Sequence, residues 1–281
     1  MATILSISSQ VVYGAVGNTA AAFAMERLGH EVWEVPTVLL AHHPGYGKYS
    51  GGPLEAELIE SLVAALEEQG WLKRCDAVIS GYLAEAGQAD AIANAVERVK
   101  AANPAALYLC DPIMGDEPGG AYVAPGVEEA VKELSRLADI LTPNWFEFGR
   151  LAGAQPTDAR EALALAKTLG PKIVTVTSAP APEGRIACLA TDGKKGYRTE
   201  TLAHAPANGA SMPKGTGDVF SAILLARLLT GNDLPLALAR ATGSTAALVK
   251  SSVEAGRSEL ALARDQGLIW DPGLLPSIQV F

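Results

Sequence analysis

The residues with the clearest chemical potential lie late in the chain, in the segment P-K-G-T-G-D-V-F that ends at Phe220. Gly215, Thr216 and Gly217 precede a predicted helix, so backbone N–H groups can converge at its N-terminus and bind an anion. Asp218 follows in the first turn, where a carboxylate can accept a proton from a hydroxyl that attacks phosphorus. The segment therefore predicts phosphoryl transfer. The alternative is a loop followed by an aspartate that only caps a helix.

Further polar residues follow apolar runs of the predicted sheet. Asp111 ends the run ALYLCDP, and the carboxyl ends of strands are where α/β proteins bind their ligands. Asn144 and Glu147 are three residues apart, so they share a face if a helix begins there. The alternatives are a strand-ending turn at Asp111 and a helix cap formed by Asn144 with Glu147.

Short apolar runs alternate with segments of helical period, which indicates βαβ units and a mainly parallel sheet. Strands are predicted at residues 3–7, 31–40, 76–83, 106–112, 138–142 and 172–177, with a hairpin of 186–191 and 196–201. Helices are predicted at residues 18–28, 53–69, 88–101, from about 158, after 215 to about 229, and 234–251. Residues 42–52, HHPGYGKYSGG, predict a mobile flap. No composition shift divides the chain, so residues 1–281 are predicted to form one domain.

The composition excludes several classes of function. The 281 residues carry a formal net charge of -9, which disfavours nucleic-acid and membrane-surface partners. No run of about 18 apolar residues predicts a membrane span, and the N-terminus has no signal-peptide pattern. Cys75, Cys110 and Cys188 are scattered in apolar runs, which is typical of reduced, buried thiols and predicts a cytoplasmic protein.

Five motifs occur in the same order as in one known family. They are SSQVVYGAVGN at 8–18, SGYL at 80–83, CDPIMGD at 110–116 followed by GGAYVAPG, TPNWFE at 142–147, and GTGD at 215–218. Together they resemble the pyridoxal kinases of the ribokinase superfamily. The resemblance implies a ribokinase-like, doubly wound α/β fold with a mostly parallel central sheet and helices on both faces. It also implies ATP-dependent phosphorylation of the 5′-hydroxyl of pyridoxal, in a homodimer.

The resemblance assigns roles to the matching positions. Asp218 would be the base, beside an anion hole formed by Gly215, Thr216 and Gly217. The pyridine and its substituents would contact Ser9, Val16, His43 and Tyr82. Mg²⁺ and ATP would be held by Asp111, Asp116, Tyr122, Thr142, Asn144, Glu147, Thr177, Ser178 and Lys214, with Asp111 and Glu147 nearest the metal, partly through water. A monovalent cation such as K⁺ is a further candidate cofactor.

Two positions depart from the family pattern. Many pyridoxal kinases have a threonine where this flap has Pro44, which offers neither a hydroxyl nor an N–H group. Some bacterial relatives have a lysine where this chain has Thr177. The substrate preference therefore stays open among pyridoxal, pyridoxine and pyridoxamine. The alternatives are a hydroxymethylpyrimidine or sugar kinase of the same superfamily, and a non-catalytic vitamin-binding protein.

Overall fold

A ten-stranded sheet forms the centre of the protein in a computed structural model that describes residues 1–206 and 212–281. Its strands are β1 (Thr3–Tyr13), β2 (Glu31–His42), β3 (Gly51–Pro53), β4 (Ala77–Ser80), β5 (Leu107–Cys110), β8 (Ile140–Leu141), β9 (Ile173–Ala179), β10 (Arg185–Thr191), β11 (Gly196–Leu202) and β12 (Ile278–Val280); β6 (Gly115–Asp116) and β7 (Gly120–Ala121) form a separate pair. The strand order is β12-β11-β10-β9-β8-β5-β4-β1-β2-β3. The six strands from β9 to β2 are parallel, and β3, β10, β11 and β12 add antiparallel edges.

Helices cover both faces of this sheet. They are α1 (Gly17–Arg27), α2 (Ala56–Glu68), α3 (Gln88–Ala102), α4 (Val127–Leu137), α5 (Trp145–Ala152), α6 (Ala159–Ala166), α7 (Thr216–Leu229), α8 (Leu234–Glu254) and α9 (Gly267–Trp270). One apolar cluster joins one face of the sheet to α2 through α6, and a second joins the other face to α1, α7, α8 and α9. The predicted doubly wound α/β fold is confirmed. No helix in the two described ranges is long and apolar enough to cross a membrane.

The helix that carries Asp218 is the most deeply buried one at the site. Every residue of α7 from Val219 to Arg227 is buried, and the helix packs against α1 and α8. A helix that is apolar on all sides can be stable only inside such a layer. Its N-terminus is therefore fixed with respect to the sheet.

β1 is longer than the predicted strand 3–7, because it stays paired with β2 as far as Tyr13 and a buried amide bonds its polar residues Ser6 and Ser8. Asn18 is fully buried, and its Nδ2 donates to the carbonyl oxygens of Ser8 (3.3 Å) and Val35 (3.2 Å). Its Oδ1 accepts the Ser6 hydroxyl at 2.8 Å. The register with β2 shifts between Ser8 and Gln10, so Ser9 lies in a bulge inside β1 rather than after the strand.

The glycine-rich segment 42–52 is a hairpin loop between two paired strands. β3 pairs antiparallel with β2, so residues 51 and 52 belong to the sheet. A 3₁₀ turn, Pro44–Tyr46, lies between the strands. The helix predicted from residue 53 was wrong at its start: Pro53 ends β3, and α2 begins at Ala56.

Candidate active site

The G-T-G-D segment forms the predicted helix start. Gly215 has φ 85° and directly precedes α7. A Cβ at this position would lie 1.8 Å from the carbonyl oxygen of Ala15, so only glycine fits. The first N–H groups of a helix have no acceptor within the helix. The N–H groups of Thr216 and Gly217 are therefore available to an anion at this end of α7.

Asp218 is the third residue of α7 and lies between the helix start and the β1–α1 loop. Burial raises the pKa of its carboxyl, and the N–H groups of Gly17 and of Asp218 itself oppose that rise. A carboxylate whose pKa moves toward neutrality is a better proton acceptor at physiological pH. The environment of Asp218 therefore suits a general base better than a simple helix cap.

Asp111 follows β5 directly and lies next to Gly215–Gly217, called here the anion-binding segment. A Cβ on Gly217 would be 4.0 Å from its Oδ2, and this oxygen accepts the Ser221 hydroxyl of α7 at 2.9 Å. Burial raises the pKa of Asp111, and the carboxylates of Glu147 and Asp218 raise it further. Three carboxylates thus concentrate negative charge around one point.

Asn144 and Glu147 form a capping box at the start of α5, which confirms the cap that the sequence left open. The Asn144 side chain accepts the Glu147 N–H at 2.9 Å, and Glu147 Oε2 accepts the Asn144 N–H at 2.8 Å. Glu147 Oε1 accepts the Met114 N–H at 3.0 Å, and Asn144 Nδ2 donates to the Gly115 carbonyl at 2.7 Å. Burial raises the pKa of Glu147 to about 7. Because both Glu147 oxygens already accept N–H groups, this residue suits a metal contact through water.

Asp116 and Tyr122 lie on the β6–β7 hairpin above this cluster. Asp116 is exposed, and the Tyr122 N–H donates to the Met114 carbonyl at 3.0 Å. The Tyr122 side chain is 55% exposed. Partial burial raises the pKa of its hydroxyl, as do the nearby carboxylates of Glu147, Asp116, Asp218 and Asp111. The hairpin therefore borders the carboxylates.

Thr142 directly follows β8, and Thr177 and Ser178 lie near the end of β9. Thr142 is buried, and its hydroxyl bonds to Ser221 Oγ at 2.9 Å next to the Ser221–Asp111 bond. Its contact with the nucleotide stays a prediction. Thr177 pairs with Asn144 in an isolated bridge. Ser178 is exposed with φ 56°, a conformation that costs a non-glycine residue energy and is concentrated at functional sites.

The predicted acceptor residues surround an apolar cluster beside the anion-binding segment. Val16 packs with Val11, Val38 and Leu40, and the half-buried ring of Tyr82 lies against them. The bulge at Ser9 lies against Gly17, where a Cβ would approach the Ser9 hydroxyl to 2.2 Å. The structure thus brings together Ser9, Val16 and Tyr82.

Residues that the sequence analysis missed hold this acceptor region in place. Ser8 Oγ accepts the Tyr82 N–H at 3.2 Å, and the Thr37 hydroxyl donates to the Tyr82 carbonyl at 2.7 Å. Gln88 Nε2 donates to the Thr37 and Leu54 carbonyls at 2.7 and 2.8 Å. Thr37 had a signal in the sequence, since it is a polar residue inside the apolar run VPTVLL, which indicates either a buried hydrogen bond or a contact to a ligand. Ser8 and Gln88 lie among other polar residues and had no such signal.

His43 and Lys214 meet where the flap approaches the anion-binding segment. His43 Nδ1 accepts the Gly45 N–H at 3.0 Å. Burial lowers the pKa of His43, as does the nearby charge of Lys214. Pro44 is the first residue of the 3₁₀ turn, a position for which its fixed φ is suited. The backbone of the flap therefore accommodates proline at position 44, where many pyridoxal kinases have threonine.

The carboxylate set fits a divalent cation that is shared with phosphate. Within residues 1–206 and 212–281, no Lys or Arg forms an ion pair with Asp111, Glu147 or Asp218. The same ranges contain no group of three or more His, Cys, Asp and Glu residues arranged to hold a metal ion. Mg²⁺ in phosphoryl-transfer sites takes one or two carboxylates and completes its shell with water and phosphate oxygens. The residues present match that requirement.

Comparisons with known proteins agree with this geometry. The family model described as phosphomethylpyrimidine kinase matches residues 14–262. The pyridoxal kinase PdxY of Rubrobacter xylanophilus is 40% identical over 283 residues, which cover 97% of this chain and 96% of the relative. The corresponding protein of Leifsonia xyli is 38% identical over 276 residues, with 96% of both chains covered.

Solved structures give the same result. The pyridoxal kinase of Leishmania donovani in complex with ADP and pyridoxamine superposes with a TM-score of 0.91 at 28% identity, and 99% of each chain is covered. Its complex with ADP and pyridoxine gives the same TM-score and identity. Pyridoxal kinase from Entamoeba histolytica follows with a TM-score of 0.90 at 25% identity. This chain belongs to the pyridoxal kinase family.

Proposed function

We propose that this protein transfers the γ-phosphoryl group of ATP to the 5′-hydroxyl of pyridoxal. The observation that carries the proposal is the position of Asp218 at the start of α7, with Gly17 of the acceptor side on one flank and Asp111 nearby on the other. A base beside free helical N–H groups matches the needs of an attacking hydroxyl and of a transferring phosphoryl group.

The chain's own residues divide the reaction between them. Asp218 accepts the proton of the 5′-hydroxyl as that oxygen attacks the γ-phosphorus, and the bond from this phosphorus to the β,γ-bridging oxygen breaks so that ADP leaves. The N–H groups of Thr216 and Gly217 bind the oxygens of the transferring group and stabilise their charge. Asp111 and, through water, Glu147 would hold Mg²⁺, which would neutralise charge on the phosphates.

The remaining predicted contacts fall on two sides of this centre. Ser9, Val16, His43 and Tyr82 bind the pyridine ring and its substituents. ATP lies along the β6–β7 hairpin and the ends of β8 and β9, where it contacts Asp116, Tyr122, Asn144, Thr177 and Ser178, with Lys214 adding positive charge. Structures of the Leishmania donovani relative with ADP and either pyridoxamine or pyridoxine support a shared acceptor site for the vitamers.

A hydroxymethylpyrimidine kinase is the second candidate, because the matching family model carries the description phosphomethylpyrimidine kinase. Pro44 also removes a polar group from the acceptor side, which weakens discrimination between the two heterocycles. Both candidates use the same base and anion-binding segment. They differ only in the acceptor.

The test is ATP consumption by purified protein with Mg²⁺ and each of pyridoxal, pyridoxine, pyridoxamine, hydroxymethylpyrimidine and ribose, with and without K⁺. We expect the highest kcat/KM with pyridoxal. A higher kcat/KM with hydroxymethylpyrimidine would show that this compound, and not pyridoxal, is the preferred acceptor. ATP consumption stimulated by ribose would indicate a sugar kinase. Tight binding of pyridoxal with no ATP consumption would contradict a kinase and support a vitamin-binding protein.

We also propose a cytoplasmic homodimer. Cys75, Cys110 and Cys188 are all buried free thiols, which fits a reducing compartment. Val12 and Tyr13 at the end of β1 are 82% and 62% exposed, and an apolar surface of this kind favours association. Light scattering on the purified chain tests the dimer: a monomer mass at micromolar concentration would contradict it.

A further inference from the structure

Glu259 is a buried carboxylate that the proposed chemistry does not use. It follows α8, is only 4% exposed, and lies opposite the β1–α1 loop. Its Oε2 accepts the Ala15 N–H at 2.7 Å. Its Oε1 accepts the hydroxyl of Tyr46, which belongs to the flap. One carboxylate therefore joins the flap to the loop that precedes Val16.

The backbone at Glu259 adds a third segment to this junction. Glu259 forms an isolated parallel bridge with Lys214, and the Lys214 N–H donates to the Ser258 carbonyl at 3.3 Å. The Tyr46 hydroxyl also lies 2.9 Å from Ser258 Oγ. The flap, the β1–α1 loop and the anion-binding segment thus meet at residues 258 and 259.

Within residues 1–206 and 212–281, the side-chain hydrogen bonds from the flap to the rest of the protein are those of the Tyr46 hydroxyl. The Tyr46 ring also packs edge-on against Tyr13 and His42, with centroids 6.3 and 5.9 Å apart. The other end of the flap pairs with Leu39 and Leu40, and Leu40 packs in the apolar cluster of Val16 and Tyr82, so the flap borders the acceptor region. A flap in this position separates the acceptor site from water only while Tyr46 stays bound.

We propose that Glu259 is a positioning residue that latches the flap shut over the acceptor site through the Tyr46 hydroxyl. Opening the flap breaks the bonds of Tyr46 to Glu259 and Ser258, whereas the Ala15–Glu259 bond can persist. The acceptor region keeps its shape, and the flap alone moves. This inference rests on the proposed kinase function, because a closed flap protects the transferring phosphoryl group from attack by water.

The direct test is Tyr46→Phe, which removes the hydroxyl and keeps the ring contacts. We expect KM for pyridoxal to rise about 10-fold and ATP hydrolysis without acceptor to rise at least about 3-fold, while kcat changes less than about 2-fold. The matched control is Tyr13→Phe, because that ring contacts Tyr46 but its hydroxyl is not part of the junction. The control should behave as the wild type does in all three measurements.

A second readout does not depend on the reaction. Amide hydrogen exchange of residues 45–49 should be faster in Tyr46→Phe than in Tyr13→Phe, with and without pyridoxal. Equal exchange in the two variants would overturn the latch even if the protein proved inactive on every acceptor tested. A loss of both Tm and kcat in Tyr46→Phe with an unchanged KM for pyridoxal would overturn the latch as well, because it would indicate a purely structural role.

Discussion

The two halves of the candidate site are built in opposite ways. The carboxylates that face the phosphates follow buried strands or lie in the first turn of a buried helix, and Asp111 and Glu147 are 6% and 3% exposed. The acceptor side is closed by a loop whose residues 44 to 51 are all exposed. Charge that must stabilise a transition state needs fixed geometry. A substrate that must enter and leave needs a part that moves.

The largest effect expected from this difference is at Asp218. Asp218→Ala should lower kcat by a factor of about 10²–10⁴, because a general base accelerates a reaction by about that factor. The thermal midpoint should change little. The matched control is Asp233→Asn, which alters an aspartate that caps α8 far from the site and replaces it with another good cap. Normal turnover by Asp218→Ala, measured by ATP consumption with pyridoxal, would contradict its role as the base.

Gly215→Ala tests whether the reaction tolerates a displacement of the start of α7 relative to the β1–α1 loop. The new Cβ would meet the Ala15 carbonyl at 1.8 Å, so the helix start and the β1–α1 loop must separate. We expect kcat to fall at least about 10-fold and the protein to lose more than the roughly 1–2 kcal/mol that a left-handed conformation alone costs an alanine.

Gly231→Ala is its control, because Gly231 has nearly the same φ (86°) and no neighbour within 4 Å of the added Cβ. It should show only the conformational cost in a denaturant titration, with normal turnover. Equal losses in the two variants would mean that the contact with Ala15 has no influence on catalysis.

Asp111→Asn tests the need for a cation on the phosphate side. Amide oxygen can still accept the Ser221 hydroxyl, and the repulsion from Glu147 and Asp218 is removed. We expect the metal-free variant to be at least as stable as the wild type, but to need about 10-fold more Mg²⁺ for half-maximal activity. An unchanged Mg²⁺ requirement would exclude Asp111 from the metal site.

The smallest predicted effect concerns pH. The pKa of Glu147 rises from 4.5 to about 7 on folding, so the folded state binds more protons than the unfolded state between these values. Stability from this group is fully present below about pH 4.5 and is lost as pH rises through about 7. Glu147→Gln, which keeps the capping-box geometry at Asn144, should flatten that part of the stability profile. An identical profile in urea titrations from pH 4.5 to 7.5 would contradict the raised pKa.

Sequence reasoning worked best on the phosphate side. Asp111, Asn144, Glu147 and Asp218 each followed a strong local signal, namely the end of an apolar strand or the start of a helix. Parallel strands bring such ends to one edge of the sheet, so local signals were sufficient there. Thr142 at this edge also has a contact that the sequence did not indicate, because its hydroxyl bonds to Ser221. That partner lies 79 positions away and has no local signature.

The acceptor side depends on contacts that the local pattern does not contain. The strand predicted to end at Ile7 continues to Tyr13, because β2 pairs with it as far as Tyr13 and Asn18 bonds the Ser8 carbonyl in a polar stretch that looks like a loop. The junction at Glu259 joins residues more than 200 positions apart. Neither a hydrophobic period nor a short motif indicates such a pairing.

The pairing of β3 with β2 has a kinetic consequence. Because residues 51 and 52 are held in the sheet opposite Leu39 and Leu40, the moving part of the flap is only a short loop with both ends fixed. Lid loops of enzymes open and close in about μs–ms, whereas kinases turn over at about 1–100 s⁻¹. Flap motion is therefore expected to be a rapid equilibrium before chemistry, and the fraction of molecules with a closed flap, rather than the speed of closing, sets its influence on the rate.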